Sequence, residues 1–182
     1  MTEAQIITSN PIDGNIKVGS VGLPLPSTDI RVVDNHGHEV DDSSIGVVEI
    51  KGENVFLGYW KKPDKTIEEF RSDGYFISGD LAYRDEDGYL FIVGREKDLI
   101  ISGGLNVYPK EIESQIDDIP GIRESAVIGI PHRDWGEAVV ALIVQEEENT
   151  TIHEREVRDQ MRFLFRPSYR HENHTIMFAA GH

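Results

Sequence analysis

Cysteine is absent from this sequence, which excludes disulfides and thiolate chemistry. That fits a reducing compartment, and a cytoplasmic location is the expectation. No apolar run approaches the ~18 residues of a membrane span. No basic, apolar, small-residue leader is present either, so no secretory signal is expected. Positive charge is scarce: 18 Lys and Arg stand against 33 Asp and Glu, a formal net charge of −15. Such a chain repels nucleic acid and anionic membranes over most of its surface, and neither is expected as a partner. It also repels small anionic ligands at long range. A site for one needs local cations, and Arg95, Lys97 and Lys110 are the obvious ones.

What is present describes an ordinary globular chain. With 182 residues, 38% apolar and 28% charged, it has room for one or two domains and a real core. Residues 9–28 are rich in Ser, Asn, Pro and Gly and read as loop. Asp29–Asp34 and Gly46–Lys51 alternate and should pair as strands. Val55, Phe56, Leu57, Tyr59 and Trp60 are expected to feed the same core. Lys62-Pro63-Asp64 opens a short helix, with Thr66, Ile67 and Phe70 packing inward and Glu68 and Glu69 facing water. Asp85-Glu-Asp-Gly88 reads as a solvated hairpin turn between Leu81–Tyr83 and Tyr89–Val93. These elements predict a small β-barrel-like module over 1–94.

After Lys97 the pattern changes. Leu99–Ile101 reads as a short buried strand. Pro109 suits a helix first turn, and Ile112, Ile116 and Ile119 give that helix one apolar face before Gly121. Ser125–Ile130 and Ala138–Val144 are strands joined by Pro131–Gly136. Thr151-x-x-Glu154 forms a capping box for a helix carrying Val157, Met161 and Leu164. The fold class is α+β: the barrel-like module followed by a compact C-terminal domain, β-α-β-β-α, on an antiparallel sheet. His132 on a loop and His171-x-x-His174 lack the companions that a metal site requires.

The segment from Gly74 to Glu113 holds the chemistry. In Ser78-Gly79-Asp80 the glycine lets backbone or ligand come close. The aspartate offers two acceptor oxygens, a geometry that pairs with a vicinal diol such as a ribose. Arg95 follows a strand and a glycine, and its fork suits phosphate or ribose oxygens. Taken singly, the two also read as a solvated turn aspartate and a solvated arginine after a hairpin.

Taken together, the motifs are specific. Ser78-Gly79-Asp80 resembles the Thr-Gly-Asp of the adenylate-forming superfamily, which includes acyl-CoA synthetases, peptide-synthetase adenylation domains and luciferases. Gly94-Arg-Glu-Lys-Asp98, Ile101-Ser-Gly-Gly104 and Pro109-Lys-Glu-Ile-Glu113 resemble its hinge segment. Met1-Thr-Glu3, Thr8–Pro11, Gly19–Pro26, Gly58-Tyr-Trp60 and Ile101–Pro109 make the resemblance closest to malonyl-CoA synthetases, over roughly residues 1–160.

The resemblance implies ATP, Mg²⁺ and CoA as cofactors, and a small carboxylate as substrate. It implies that Thr2 contacts the acyl-adenylate phosphate and that Glu3 helps hold Mg²⁺. Asp80 would hold the ribose hydroxyls, Arg95 ribose or phosphate, and Ile92 would pack near the nucleotide. Lys97 would be the hinge between half-reactions, and Gly103 and Gly104 would let the pantetheine arm of CoA pass. Residues 1–96 would then be the β-rich end of a large AMP-binding domain, and 97–182 its C-terminal lid.

Two departures go with it. The phosphate-binding loop and acyl pocket of the family would lie upstream, in an N-terminal domain that this sequence does not include, so a fragment inactive by itself is expected. The motif resemblance stops near residue 163, and no lysine follows Lys110, although the family pattern has one near its end. The alternatives are a synthetase for another acid, such as a medium-chain one, or a catalytically incompetent binding module. A unit that normally packs on a missing domain would show a large uncovered apolar patch over 1–94, which separates these readings.

Overall fold

The computed structural model describes residues 1–145, residue 157 and the backbone of residues 178–180. The chain divides into two compact units, Met1–Lys97 and Asp98–His182.

The first unit is built on an antiparallel meander: β3 (Thr28–Val33), β4 (Gly46–Gly52), β5 (Phe76–Arg84) and β6 (Leu90–Arg95). A two-stranded ribbon, β1 (Thr8–Ser9) with β2 (Leu23–Pro24), accompanies it. Pairing Ile30 with Ile50, Val32 with Val48 and Ile50 with Phe76 puts the β-branched and aromatic side chains on one face. With Ala4, Ala82 and Leu90 they form the core, and Val55, Phe56 and Phe70 close it from outside.

The expected barrel-like closure is not formed among the described residues. β3 and β6 are opposite edges of an open sheet. Four short strands cannot curl far enough to pair their own edges, so loops cover them instead. Val21 donates to the Leu90 carbonyl at 2.9 Å and Leu90 to that of Gly22 at 3.0 Å. On the other edge Val40 donates to the Val32 carbonyl at 3.0 Å. Lys17 fastens the first of these loops, its ammonium 2.5 Å from Asp85 and 2.6 Å from Asp87. The acidic hairpin tip is therefore an anchor and not merely solvated surface.

The second face of the sheet departs from the alternating pattern read for β4. Glu49 is completely buried there. Its carboxylate accepts from Arg31 Nε at 2.8 Å and from Arg71 Nε at 2.6 Å. Arg31 also reaches Asp73 at 2.8 Å and lies 3.8 Å over the Tyr75 ring, whose hydroxyl bonds to Asp29. Two guanidiniums and an aromatic ring thus roof a charge that alternation assigns to water.

Leu57, Trp60 and Ile67 are exposed at 102%, 86% and 74%, against the expectation that they fill the core. Helix α1 (Pro63–Glu68) spans only six residues. Thr66 turns back to accept from the Tyr59 N–H at 2.9 Å and to donate to the Lys62 carbonyl at 3.0 Å. That leaves Phe70, beyond the helix, as the inward group. Exposed large apolar side chains concentrate in this unit, with Ile6, Ile12, Ile16 and Val18 adding to these three.

In the second unit β10 (Gly136–Gln145) is the central strand. It pairs antiparallel with β9 (Ile122–His132) along its length and with β7 (Ile100–Ser102) at one position. It pairs parallel with β11 (Phe178–Ala180), so the sheet is antiparallel with one parallel neighbour. β7 turns into β8 (Leu105–Val107), a strand the sequence pattern does not suggest. Helix α2 (Pro109–Asp117) has Pro in its first turn. Ile112, Ile116 and, beyond the helix end, Ile119 bury against Ile100, Val107, Val139, Ile143 and Val157. Apart from Val157, which is helical and buried, the capping-box helix lies outside the described residues, as do His171 and His174.

The Glu49 cluster yields a test. Glu49→Ala strands two guanidiniums against a buried face and should lower stability by about 3 kcal/mol, measured as a fall in the urea midpoint. Glu49→Gln, which keeps an acceptor, should lose less.

Candidate functional site

The hairpin of β5 and β6 carries the first pair of candidate residues. Ser78 is buried; its hydroxyl donates to the Val48 carbonyl at 2.7 Å and accepts from the Asp80 N–H at 3.0 Å. Gly79 takes φ +69°, a left-handed conformation that favours glycine, and turns the chain so that Asp80 faces β6. The register sets Asp80 opposite Arg95. Arg95 Nε is 3.0 Å from Asp80 Oδ1, and its Nη2 donates to the Ser78 carbonyl at 3.2 Å. Partial burial pushes the Asp80 carboxyl above its ordinary value, and the Arg95 charge works against that rise.

The second pair lies on the turn at residues 1–5. Ala4 is fully buried, and the Asn54 amide donates to its carbonyl at 2.7 Å. The Phe56 N–H donates to the Glu3 carbonyl at 2.7 Å. So fixed, Thr2 Oγ1 donates to Glu3 Oε2 at 2.9 Å, and the Tyr59 hydroxyl donates to Glu3 Oε1 at 3.3 Å. The Thr2 hydrogen bond holds the Glu3 carboxyl below its ordinary value, so Glu3 is ionised at neutral pH. Burial raises the Tyr59 hydroxyl, the Glu3 charge adds to that, and the Arg95 charge opposes it. Asp80 in turn feels Glu3 and the Met1 ammonium. Charge therefore links the turn to the hairpin as one electrostatic cluster: Glu3 acts on Asp80, and Arg95 acts on Tyr59. Sequence reasoning treats Tyr59 only as core; the signal available was a hydroxyl-bearing aromatic inside Gly58-Tyr-Trp60.

The other candidates sit apart from this cluster's hydrogen bonds. Ile92 faces solvent on β6. Lys97 is exposed in the 3-10 turn Glu96–Asp98 that ends the first unit. Gly103 and Gly104 form the β7–β8 turn of the second unit, at φ +58° and +81°. No atom lies within 4 Å of where a Cβ would stand on either, so their surface is open to an approaching chain.

No group of three or more His, Asp or Glu side chains able to hold a metal occurs among the described residues. Glu3 alone fits Mg²⁺ in one way, as a single carboxylate beside phosphate oxygens and water, the ligand mix that this ion usually takes.

The family model described as AMP-binding enzyme matches residues 1–60, and the one described as AMP-binding enzyme C-terminal domain matches residues 111–177. The chain belongs to the AMP-binding enzyme family. The second match runs past residue 163, where the motif-by-motif resemblance ends.

A long-chain-fatty-acid–CoA ligase of Yersinia pestis is 44% identical over 149 residues, 82% of this chain and 26% of the ligase. A sulfoacetate–CoA ligase of Cupriavidus necator is 44% identical over 76% of this chain and 27% of its own length. The ATP-bound crystal structure of MatB from Rhodopseudomonas palustris is 49% identical, with a TM-score of 0.90 over 98% of this chain and 35% of that one. MenE of Bacillus subtilis, solved with ATP and magnesium, is 30% identical with a TM-score of 0.75, over 90% of this chain and 32% of its own. The chain thus spans about a quarter of the length of the curated relatives it matches. Among the described residues no helix is long and apolar enough to cross a membrane.

Asp80 provides a second test. Its folded value is raised, so it lowers stability most where it is ionised, and the penalty fades as pH falls and it protonates in both states. Asp80→Asn should change stability at pH 7 by less than about 1 kcal/mol, because its partner Arg95 is half exposed. The stability difference between wild type and variant should then move in favour of wild type as pH is lowered, read from thermal midpoints across a pH series.

Proposed function

We propose that this chain carries the nucleotide-facing hairpin and the C-terminal lid of an AMP-forming acyl-CoA ligase. The observation that carries the reading is the Asp80–Arg95 ion pair, held beside the Thr2–Glu3 turn in a chain of this family. Asp80 would accept both ribose hydroxyls of ATP, its two oxygens matching a vicinal diol. Arg95, already fixed by Asp80 and the Ser78 carbonyl, would lend its remaining N–H groups to ribose or phosphate oxygens. Thr2 would donate to the phosphate at which the acyl carboxylate attacks. Glu3 would hold Mg²⁺, which when bound offsets phosphate charge.

In the first half-reaction a carboxylate oxygen bonds to the α-phosphorus and pyrophosphate leaves. In the second the CoA sulfur, having lost its proton, bonds to the acyl carbon and AMP leaves. Lys97 is the pivot in this reading, and Gly103 and Gly104 flank the pantetheine arm. Fixed donors and cations facing the moving negative charge are the main contribution such residues make.

For the acyl group we favour malonate. The support is the motif resemblance to malonyl-CoA synthetases together with the 49% identity to MatB; the long-chain and sulfoacetate ligases among the relatives make other acids the competing choice. The exposed Ile6, Leu57, Trp60 and Ile67 favour a further element: the unit works against additional polypeptide that supplies the acyl pocket and phosphate loop.

The test is acyl-CoA formation from malonate, ATP, Mg²⁺ and CoA by the purified chain, alone and mixed with a separately expressed N-terminal portion of a malonyl-CoA synthetase. Thioester formed only on mixing, and reduced at least about tenfold by Asp80→Asn, is the expected result. Thioester formed by the chain alone contradicts the need for the additional domain. No thioester in either mixture supports a non-enzymatic binding module.

A further inference from the structure

The hairpin bearing Gly103 and Gly104 is weakly attached by its own backbone. β7 and β8 are three residues each, and β7 pairs with the central strand β10 at a single position, Ser102 with Gly136. One side chain supplies what the missing ladder does not. The Glu137 carboxylate accepts from the Ile101 N–H at 2.8 Å. The Glu137 main-chain carbonyl accepts from the buried Ser102 hydroxyl at 2.6 Å, and the Gly103 N–H donates to the Trp135 carbonyl at 2.9 Å. Residues 101, 102 and 103, the approach to the turn and its first glycine, are thus each tied to the segment Trp135–Glu137.

Gly129 makes the carboxylate's position available. A Cβ built there would lie 2.6 Å from Glu137 Oε1 and 3.1 Å from Ile100 Cγ2. Any larger residue would push the carboxylate off Ile101. Gly129 has an ordinary backbone conformation, unlike the turn glycines, so space rather than φ is what calls for glycine.

We infer that Glu137, seated against Gly129, is a positioning residue that holds the Gly103–Gly104 turn in place for the thioester-forming half-reaction. The inference rests on the proposed role of that turn in passing the pantetheine arm. A turn with no side chains of its own has few contacts to fix it, so an acceptor on the residue two before it limits its motion. Preorganising the turn lowers the ordering cost when the CoA arm binds.

The test separates pinning from ligand. Amide hydrogen exchange is followed on the 182-residue chain for wild type, Glu137→Gln, Glu137→Ala and Gly129→Ala, with CoA titrated into each by calorimetry. Glu137→Ala and Gly129→Ala should each speed exchange of Ile101 and Gly103 by about tenfold or more, with β9 and mid-β10 amides unchanged. Glu137→Gln keeps an acceptor oxygen and should stay near wild type. CoA affinity should fall in the same two variants and not in Glu137→Gln. Equal exchange at Ile101 in wild type and Glu137→Ala overturns the pinning. Faster exchange with unchanged CoA affinity overturns the link to CoA. A wild-type chain that takes up no CoA while the exchange pattern holds contradicts the ligase reading of the turn and leaves the pinning established. Uniformly faster exchange in Glu137→Ala, including β9, marks a general structural role and overturns the proposal.

Discussion

The pairing of β5 with β6 that sets Asp80 opposite Arg95 is the constraint on which the first unit's site depends. Side chains alternate along a strand, so a slip of one residue between β5 and β6 would put Asp80 and Arg95 on opposite faces. Three features hold the register. The Ser78 hydroxyl bridges the Val48 carbonyl and the Asp80 N–H. Gly79 absorbs a backbone turn that other residues adopt at a cost. On β4, the strand that β5 pairs with, Glu49 draws Arg31 and Arg71 onto the second face and covers it there.

The electrostatics of the cluster follow from that placement. A chain with formal charge −15 brings two carboxylates, Glu3 and Asp80, within reach of each other, and separates them by environment. Glu3, hydrogen-bonded by Thr2, sits below its ordinary value, while Asp80, partly buried, sits above. The Arg95 charge opposes the rise at Asp80 and also that at the Tyr59 hydroxyl. An arrangement that burdens stability in the free chain and presents acceptors and a guanidinium together is the pattern expected where a polar ligand completes the set. The second unit uses a different device: a glycine turn free of side chains, tied down from behind by Glu137.

Much of the architecture is legible in the sequence because it rests on strong local signals. The hairpin of β3 and β4, the β5–β6 turn at Asp85–Gly88, helix α2 with Pro109 at its start, and the β9–β10 pair all follow from alternation, turn residues or helical spacing. Asp80, Arg95, Thr2 and Glu3 are named by motif, and the structure adds that Asp80 pairs with Arg95, that Thr2 bonds to Glu3, and that charge couples the two pairs. What escapes the sequence does so for physical reasons. Glu49 looks like an outward residue, because alternation cannot know that Arg31, Arg71 and Tyr75 will cover the second face. Leu57, Trp60 and Ile67 look like core, because hydrophobicity does not reveal that Thr66 will fold back onto Tyr59 and turn them outward. β8 is too short to show a period, and Lys17 meets Asp85 and Asp87 from a loop nearly seventy positions away.

The central claim is that the Thr2–Glu3 turn and the Asp80–Arg95 pair form one nucleotide site. The measurement that reaches it most directly is a titration of AMP into the isotopically labelled 182-residue chain, followed by NMR. The account predicts shifts confined in the first unit to Thr2, Glu3, Tyr59, Gly79, Asp80 and Arg95, and their loss in Asp80→Asn. Shifts that avoid these residues, or that persist unchanged in the variant, would contradict it.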